Sequence, residues 1–135
     1  MDKIELAVEL HKKGYNCAQA VACAYAEEVG LDEAVLYKIA EGFGGGLGCA
    51  KGQCGALSGA AIIAGLVKSD GDTDHPGQTK KETCSESRAM LMYFKEHAKA
   101  IICSEIKGAG SGVPLTSCSD CVRIGAETVK EVLGL

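Results

Sequence analysis

Apolar residues recur at helical spacing along most of the chain. Over residues 2–13, Ile4, Ala7, Val8 and His11 share one face with Leu6 and Leu10 beside it, which predicts a first helix. Gly14 interrupts it, and Asn16 is placed to cap a second helix over Cys17–Val29. The apolar stripe of that helix is Cys17, Ala20, Val21, Ala24 and Tyr25, and Gly30 stops it. Asp32 opens a third helix to about Glu41, with Val35, Leu36 and Ile39 expected inward.

A glycine-rich turn, Gly42-Phe43-Gly44-Gly45-Gly46-Leu47-Gly48, follows. Each Gly costs a regular helix about 1 kcal/mol against Ala, so this stretch reads as a turn. Cys54–Val67 is rich in Ala, Gly and Ser and predicts a central helix that its neighbours approach closely. A buried strand over Ala60–Val67 is the alternative, but its Ala and Gly content argues against it. Residues 69–77 (SDGDTDHPG) form a turn-rich loop. Thr79 and Glu82 match a capping box for a long helix to about Ala100, with Met90, Tyr93, Phe94, His97 and Ile101 on its apolar face. After a second loop, Ser117 and Asp120 signal a final helix that ends near Leu133. The expectation is an all-α fold: one domain over 1–135, a bundle of about five to six helices with a Gly-rich turn before a small-residue central helix.

Composition narrows this picture. Apolar residues make up 47% and aromatics only 4%, with no Trp, so the core must be built from Ala, Val, Ile and Leu packed closely. The net charge is -4 with the signs mixed and no basic block, which argues against nucleic acid or an anionic membrane as a partner. The N-terminal stretch alternates charged and apolar residues and has no secretory core, and no run approaches the roughly 18 apolar residues of a membrane span. A cytoplasmic location with reduced thiols is expected.

The chemistry then falls to eight Cys, at 17, 23, 49, 54, 84, 103, 118 and 121. Cys17, Cys54 and Cys118 sit at predicted helix starts, where free N–H groups and the helix dipole favour a thiolate. Thiolate is both nucleophile and metal ligand. Cys118 and Cys121 form a CxxC, and Cys49 and Cys54 a CxxxxC across the glycine turn, a spacing compatible with a four-ligand site. No βαβ pattern precedes the CxxC, against a thioredoxin fold, and Val122 in place of His excludes haem attachment there. Cys23, inside an Ala-rich helix, reads as core; Cys84 reads as core or surface. The glycine turn lacks the GxxxxGK[ST] pattern, so no nucleotide is expected. His11 and His97 read as core or boundary residues, and His75 as part of a solvated loop.

These segments resemble the family known by the pattern C_GCAxxG_C_C, named for suspected redox activity, over nearly the whole chain. Gly14-Tyr15-Asn16-Cys17 is similar to its first cysteine motif, Gly42–Gly48 to its glycine turn, and Cys54-Gly55-Ala56-Leu57-Ser58-Gly59 to the CGAxxG form of its central motif. The literal GCAxxG fails at Gly48-Cys49-Ala50 because Gln53 stands where Gly belongs. Ile102-Cys103-Ser104-Glu105-Ile106 resembles the third segment, and Cys118 with Val122-Arg123 the fourth. The resemblance implies Cys17, Cys54, Cys103 and Cys118 as the characteristic cysteines, with Cys121 or Cys49 as alternates. It also implies a relation to a domain of split-Soret cytochromes whose cysteines hold an iron centre. The haem motifs of those proteins are lacking here, so no haem is implied.

Three functions follow from these residues. The first is an electron-transfer protein whose four cysteines ligate an iron–sulfur cluster or other metal, with Gly45, Gly46 and Gly55 letting backbone donors approach the cofactor. The second is a metal-free thiol–disulfide oxidoreductase using Cys54 and Cys118. The third is a structural zinc or interaction domain. A redox partner of unspecified identity and a homodimer are the associations expected.

Overall fold

The computed structural model describes residues 2–48 and 51–135. Its order is α1 (Lys3–Lys12), α2 (Cys17–Ala24), α3 (Ala26–Val29), α4 (Glu33–Glu41), α5 (Gly44–Leu47), α6 (Gly55–Lys68), α7 (Lys80–Ala98), α8 (Cys103–Ile106) and α9 (Cys118–Leu133). The class is all-α, as expected, but the chain is cut more finely than five or six helices. Segment α5 is not a regular helix, because Gly45 and Gly46 are left-handed at φ 65°. The remaining eight include two single turns, α3 and α8. The predicted second helix breaks at Tyr25 (φ -106°, ψ 15°), the C-cap of α2, whose hydroxyl donates across the core to Ala126 O at 2.8 Å.

Small residues decide how the helices meet. A Cβ on Gly59 would lie 2.7 Å from Ala18 O, and one on Gly125 would lie 2.8 Å from Ala56 O. Helices α2, α6 and α9 therefore approach backbone to backbone. Around them Tyr25, Leu36, Ile63, Met90 and Phe94 are fully buried, each contributing roughly 1.5–3 kcal/mol. No helix among the described residues is long and apolar enough to cross a membrane.

Four expectations need correction. Val35 and Ile39 are 44% exposed, so α4 turns Leu36 and Ala40 inward instead. Buried Gln19 fixes that choice: its Nε2 donates to Tyr37 O at 3.2 Å and to Glu41 Oε1 at 3.3 Å, holding the polar edge of α4 against α2. The Thr79 capping box does not form; Thr79 has φ -105° and ψ 2°, and its hydroxyl accepts from Asp70 N at 3.4 Å. His97 is exposed and stacks on Tyr93 at 4.1 Å between ring centroids. Helix α7 ends at Ala98, with Lys99 left-handed at φ 80°, so Ile101 lies beyond the helix.

Candidate thiol site

Four segments deliver five thiols to one pocket. Asn16 sets the first. Its Oδ1 accepts from Gln19 N at 2.9 Å while Gln19 Oε1 accepts from Asn16 N at 3.0 Å, a complete capping box that makes Cys17 the first residue of α2. Asn16 Nδ2 also donates to Glu41 O at 3.0 Å, tying this start to the end of α4.

The early end of α7 positions the next two. Beyond the helix Ile102 is extended, and residues 101–103 run beside 52–54. Cys54 N donates to Ile101 O at 2.7 Å, Cys103 N donates to Gly52 O at 2.9 Å, and an antiparallel bridge joins Gln53 to Ile102 between them. Cys54 is the N-cap residue of α6, and Cys103 begins α8. At the last segment, Ser117 Oγ accepts from Asp120 N at 3.1 Å, capping α9 with Cys118 as its first residue. Cys121 follows one turn later.

The five cysteines, Gly45, Gly46, Gly55, Ile106, Lys107 and Thr116 surround a cavity of about 40 Å³. That is far below the roughly 300 Å³ at which organic-cofactor pockets begin. Besides the five sulfurs, the side-chain heteroatoms are the Lys107 amine and the Thr116 hydroxyl, which donates to Ala98 O at 2.8 Å; no carboxylate or imidazole lines the cavity among the described residues. Two of the three glycines press on cysteines. A Cβ on Gly46 would lie 2.5 Å from Cys103 Cβ, and one on Gly55 would lie 3.3 Å from Cys17 Cβ. Gly45 has nothing within 4 Å of its would-be Cβ.

The thiols are not equivalent. Cys54 and Cys121 are buried, at 4% and 2% exposure, whereas Cys118 is exposed. The neighbouring Cys121 thiol holds Cys54 down to about 7 against the effect of burial, with the Ala56 and Leu57 N–H groups at the start of α6 adding to it. The same neighbourhood with Cys54, together with burial, pushes Cys121 upward. Burial pushes Cys17 up to about 12, and the neighbouring thiols of Cys54, Cys118 and Cys103 push the same way. Cys103 is also raised by burial, with Lys107 opposing.

All four cysteines predicted as ligands therefore meet in one place, together with the alternate Cys121. The other alternate, Cys49, lies outside the described residues. Cys23 is core, its Sγ 3.8 Å from Glu33 O, and Cys84 is exposed on α7; neither lines the pocket. Lys107 escaped the sequence reading, although its place four residues after Cys103 is a helical repeat that could have marked it.

Among the described residues, no three His, Cys, Asp or Glu side chains are grouped so as to hold a metal ion. Thiolates around one tetrahedral ion, each about 2.3 Å from it, must stand within about 4 Å of one another. Ligands of an iron–sulfur cluster bind different irons and stand farther apart. The donor set here is five sulfurs around one small cavity.

The model of a family described as "Putative redox-active protein (C_GCAxxG_C_C)" matches residues 15–132. No curated protein and no solved structure matches the chain.

Proposed function

The chain belongs to the C_GCAxxG_C_C family, and from that premise we propose that it is an electron-transfer protein whose thiol pocket holds an iron–sulfur centre. The observation that carries this reading is the convergence of five sulfur donors, with no carboxylate or imidazole among the described lining residues, on one small cavity. Disulfide chemistry uses two thiols; a cluster uses four. Cys17, Cys54, Cys103 and Cys118 are the proposed ligands, with Cys121 able to take the place of Cys118 one turn away. Once bound, such a centre supplies one-electron transfer without a change in the protein's covalent structure.

The chain's own contribution is charge and shape. Burial raises Cys17 and the neighbouring thiols add to it, so a cation in the pocket would favour its thiolate. The start of α6 points N–H groups at Cys54. Gly46 and Gly55 leave room for backbone to lie against Cys103 and Cys17. The reading places the protein in a reducing compartment, the cytoplasm, with a redox protein as its partner.

The two buried thiols of the pocket's α6 and α9 segments, Cys54 and Cys121, favour a second reading, a thiol–disulfide oxidoreductase. There Cys54 thiolate attacks a substrate disulfide and Cys121 resolves the mixed disulfide, releasing the second substrate thiol. Cys121, rather than Cys118, is then the partner of Cys54.

Anaerobic purification followed by iron, sulfide and zinc analysis and a visible spectrum on one sample separates the readings. Iron with sulfide and a charge-transfer band is the expected result, lost on Ser substitution at Cys17, Cys54 or Cys103. A colourless, iron-free protein that also fails anaerobic reconstitution would overturn the cluster reading. Reversible pairwise oxidation of Cys54 and Cys121 would then support the second, and stoichiometric zinc without redox activity would point to a structural site.

A further inference from the structure

Lys107 is the one charged side chain lining the thiol pocket among the described residues. It follows Cys103 by one helical turn, and its N–H donates to Cys103 O at 3.0 Å. The backbone around it is tied down. A Cβ on the next residue, Gly108 (φ +93°), would lie 2.6 Å from the Val113 backbone, so the 108–117 loop crosses directly over the end of α8. Leu115 N donates to Ile106 O at 2.8 Å, and Ser111 Oγ donates to Val113 O at 3.1 Å. The side chain remains exposed.

No carboxylate among the described residues makes an ion pair with Lys107. Asp120, near the start of α9, is engaged by Arg123 at 3.0 Å. The Lys107 side chain thus borders a pocket lined by five cysteines, with no carboxylate paired to its charge among the described residues.

We propose that Lys107 is the charge-setting residue of the thiol pocket: it stabilises anionic sulfur inside and draws anions to the mouth. Adding one electron to a thiolate-held centre makes it more negative with no bond made or broken, so a nearby cation favours the reduced state. That consequence for electron transfer rests on the cluster reading. The attraction of anions does not, because it acts on the metal-free thiols as well. Exposure to solvent keeps the effect modest and dependent on salt.

The test compares alkylation of the reduced, metal-free full chain by iodoacetate, which is anionic, and by iodoacetamide, which is neutral. Both reagents meet the same thiolates, so the ratio of their rates reports the local field rather than thiol ionisation. At low salt the ratio is expected to fall about two- to threefold in Lys107→Gln, to persist in Lys107→Arg, and to fall with added salt only where the cation is kept. An unchanged ratio in Lys107→Gln overturns the proposal whether or not the protein binds iron. In iron-loaded protein titrated with dithionite, Lys107→Gln should shift the reduction equilibrium about threefold toward the oxidised form, about 30 mV lower for one electron. An unchanged potential there refutes the electron-transfer consequence. A protein that takes up no iron instead refutes the cluster reading and leaves the alkylation ratio to decide on Lys107.

Discussion

Replacing Gly46 by alanine puts a methyl group where Cys103 already stands. Gly45 and Gly46 share one left-handed conformation, both at φ 65°, so an alanine at either pays the same backbone cost, about 1–2 kcal/mol. Their surroundings differ. A Cβ at 45 meets nothing within 4 Å, whereas one at 46 lies 2.5 Å from Cys103 Cβ and 3.3 Å from both Cys103 Sγ and Gly52 O. A Cβ cannot swing aside as a side-chain tip can, so α8 or the glycine turn must shift. Overpacking of this kind costs a further 1–3 kcal/mol or so. Gly45→Ala should therefore lose about 1–2 kcal/mol and Gly46→Ala roughly 2–5 kcal/mol. For a chain of this size each kcal/mol is about 3–5 °C in Tm. Urea unfolding of the reduced, metal-free proteins, followed by helical circular dichroism, measures the difference without involving any bound metal. Equal losses at the two positions would refute the close packing of the glycine turn on Cys103.

The alkylation rate of Cys54, followed by peptide mapping, should climb with pH and level off above about 7, and Cys121→Ala should move that inflection up toward the ordinary thiol range. An inflection that stays put would mean that Cys121 does not hold Cys54 down. Cys17 is raised to about 12 in the fold, so above about pH 9 its thiol ionises in the unfolded chain but not in the folded one. Folded stability should therefore fall as pH rises from about 9, and Cys17→Ala should flatten that fall in urea midpoints measured at several pH values. Asn16→Ala should lose about 1–2 kcal/mol by urea unfolding, the cap plus its link to Glu41 O. Asn16→Asp keeps the cap acceptor and should recover part of that; no recovery would assign the whole loss to the Glu41 link.

Local signals in the sequence reached the parts of the fold that depend on local chemistry. Asn16 and Ser117 both cap helices as read, because their side chains act within three residues of themselves. Gly30 ends its helix in the left-handed conformation, as read. The failures are where a tertiary contact overrides the local pattern. A nine-residue helix offers two apolar faces, and periodicity could not see that buried Gln19 would claim the polar edge of α4 and leave Val35 and Ile39 outside. Thr79 carries a cap signature, yet its hydroxyl is taken by the Asp70 backbone. Lys99 is neither Gly nor Asn, so nothing local marks the end of α7, and the extended segment that brings Cys103 to Cys54 went unseen. Cys103 itself was reached only through family resemblance, because α8 is a single turn and too short to show a period. Cys118 and Cys121 differ in burial, which their spacing of three residues does not reveal.

The arrangement also explains why one pocket supports both cluster and dithiol readings. Its thiols come from four segments distant in sequence, so gathering them is a product of the whole fold, not of one motif. Once gathered, the thiols differ: burial and then the neighbouring thiols raise Cys17, while Cys54 is held low beside Cys121. Without a cation, the least costly state is one thiolate at Cys54 among protonated neighbours, the starting state for thiol–disulfide exchange. With a cationic centre, the same crowding becomes an advantage, because the charge the metal brings offsets the repulsion between thiolates. Metal and protons then compete for the same sulfurs, so iron occupancy should rise with pH and the dithiol reactivity of Cys54 should fall as iron is taken up. Cys54 alkylation measured against iron content in one preparation tests that competition directly: independence of the two would separate the metal from the pocket altogether.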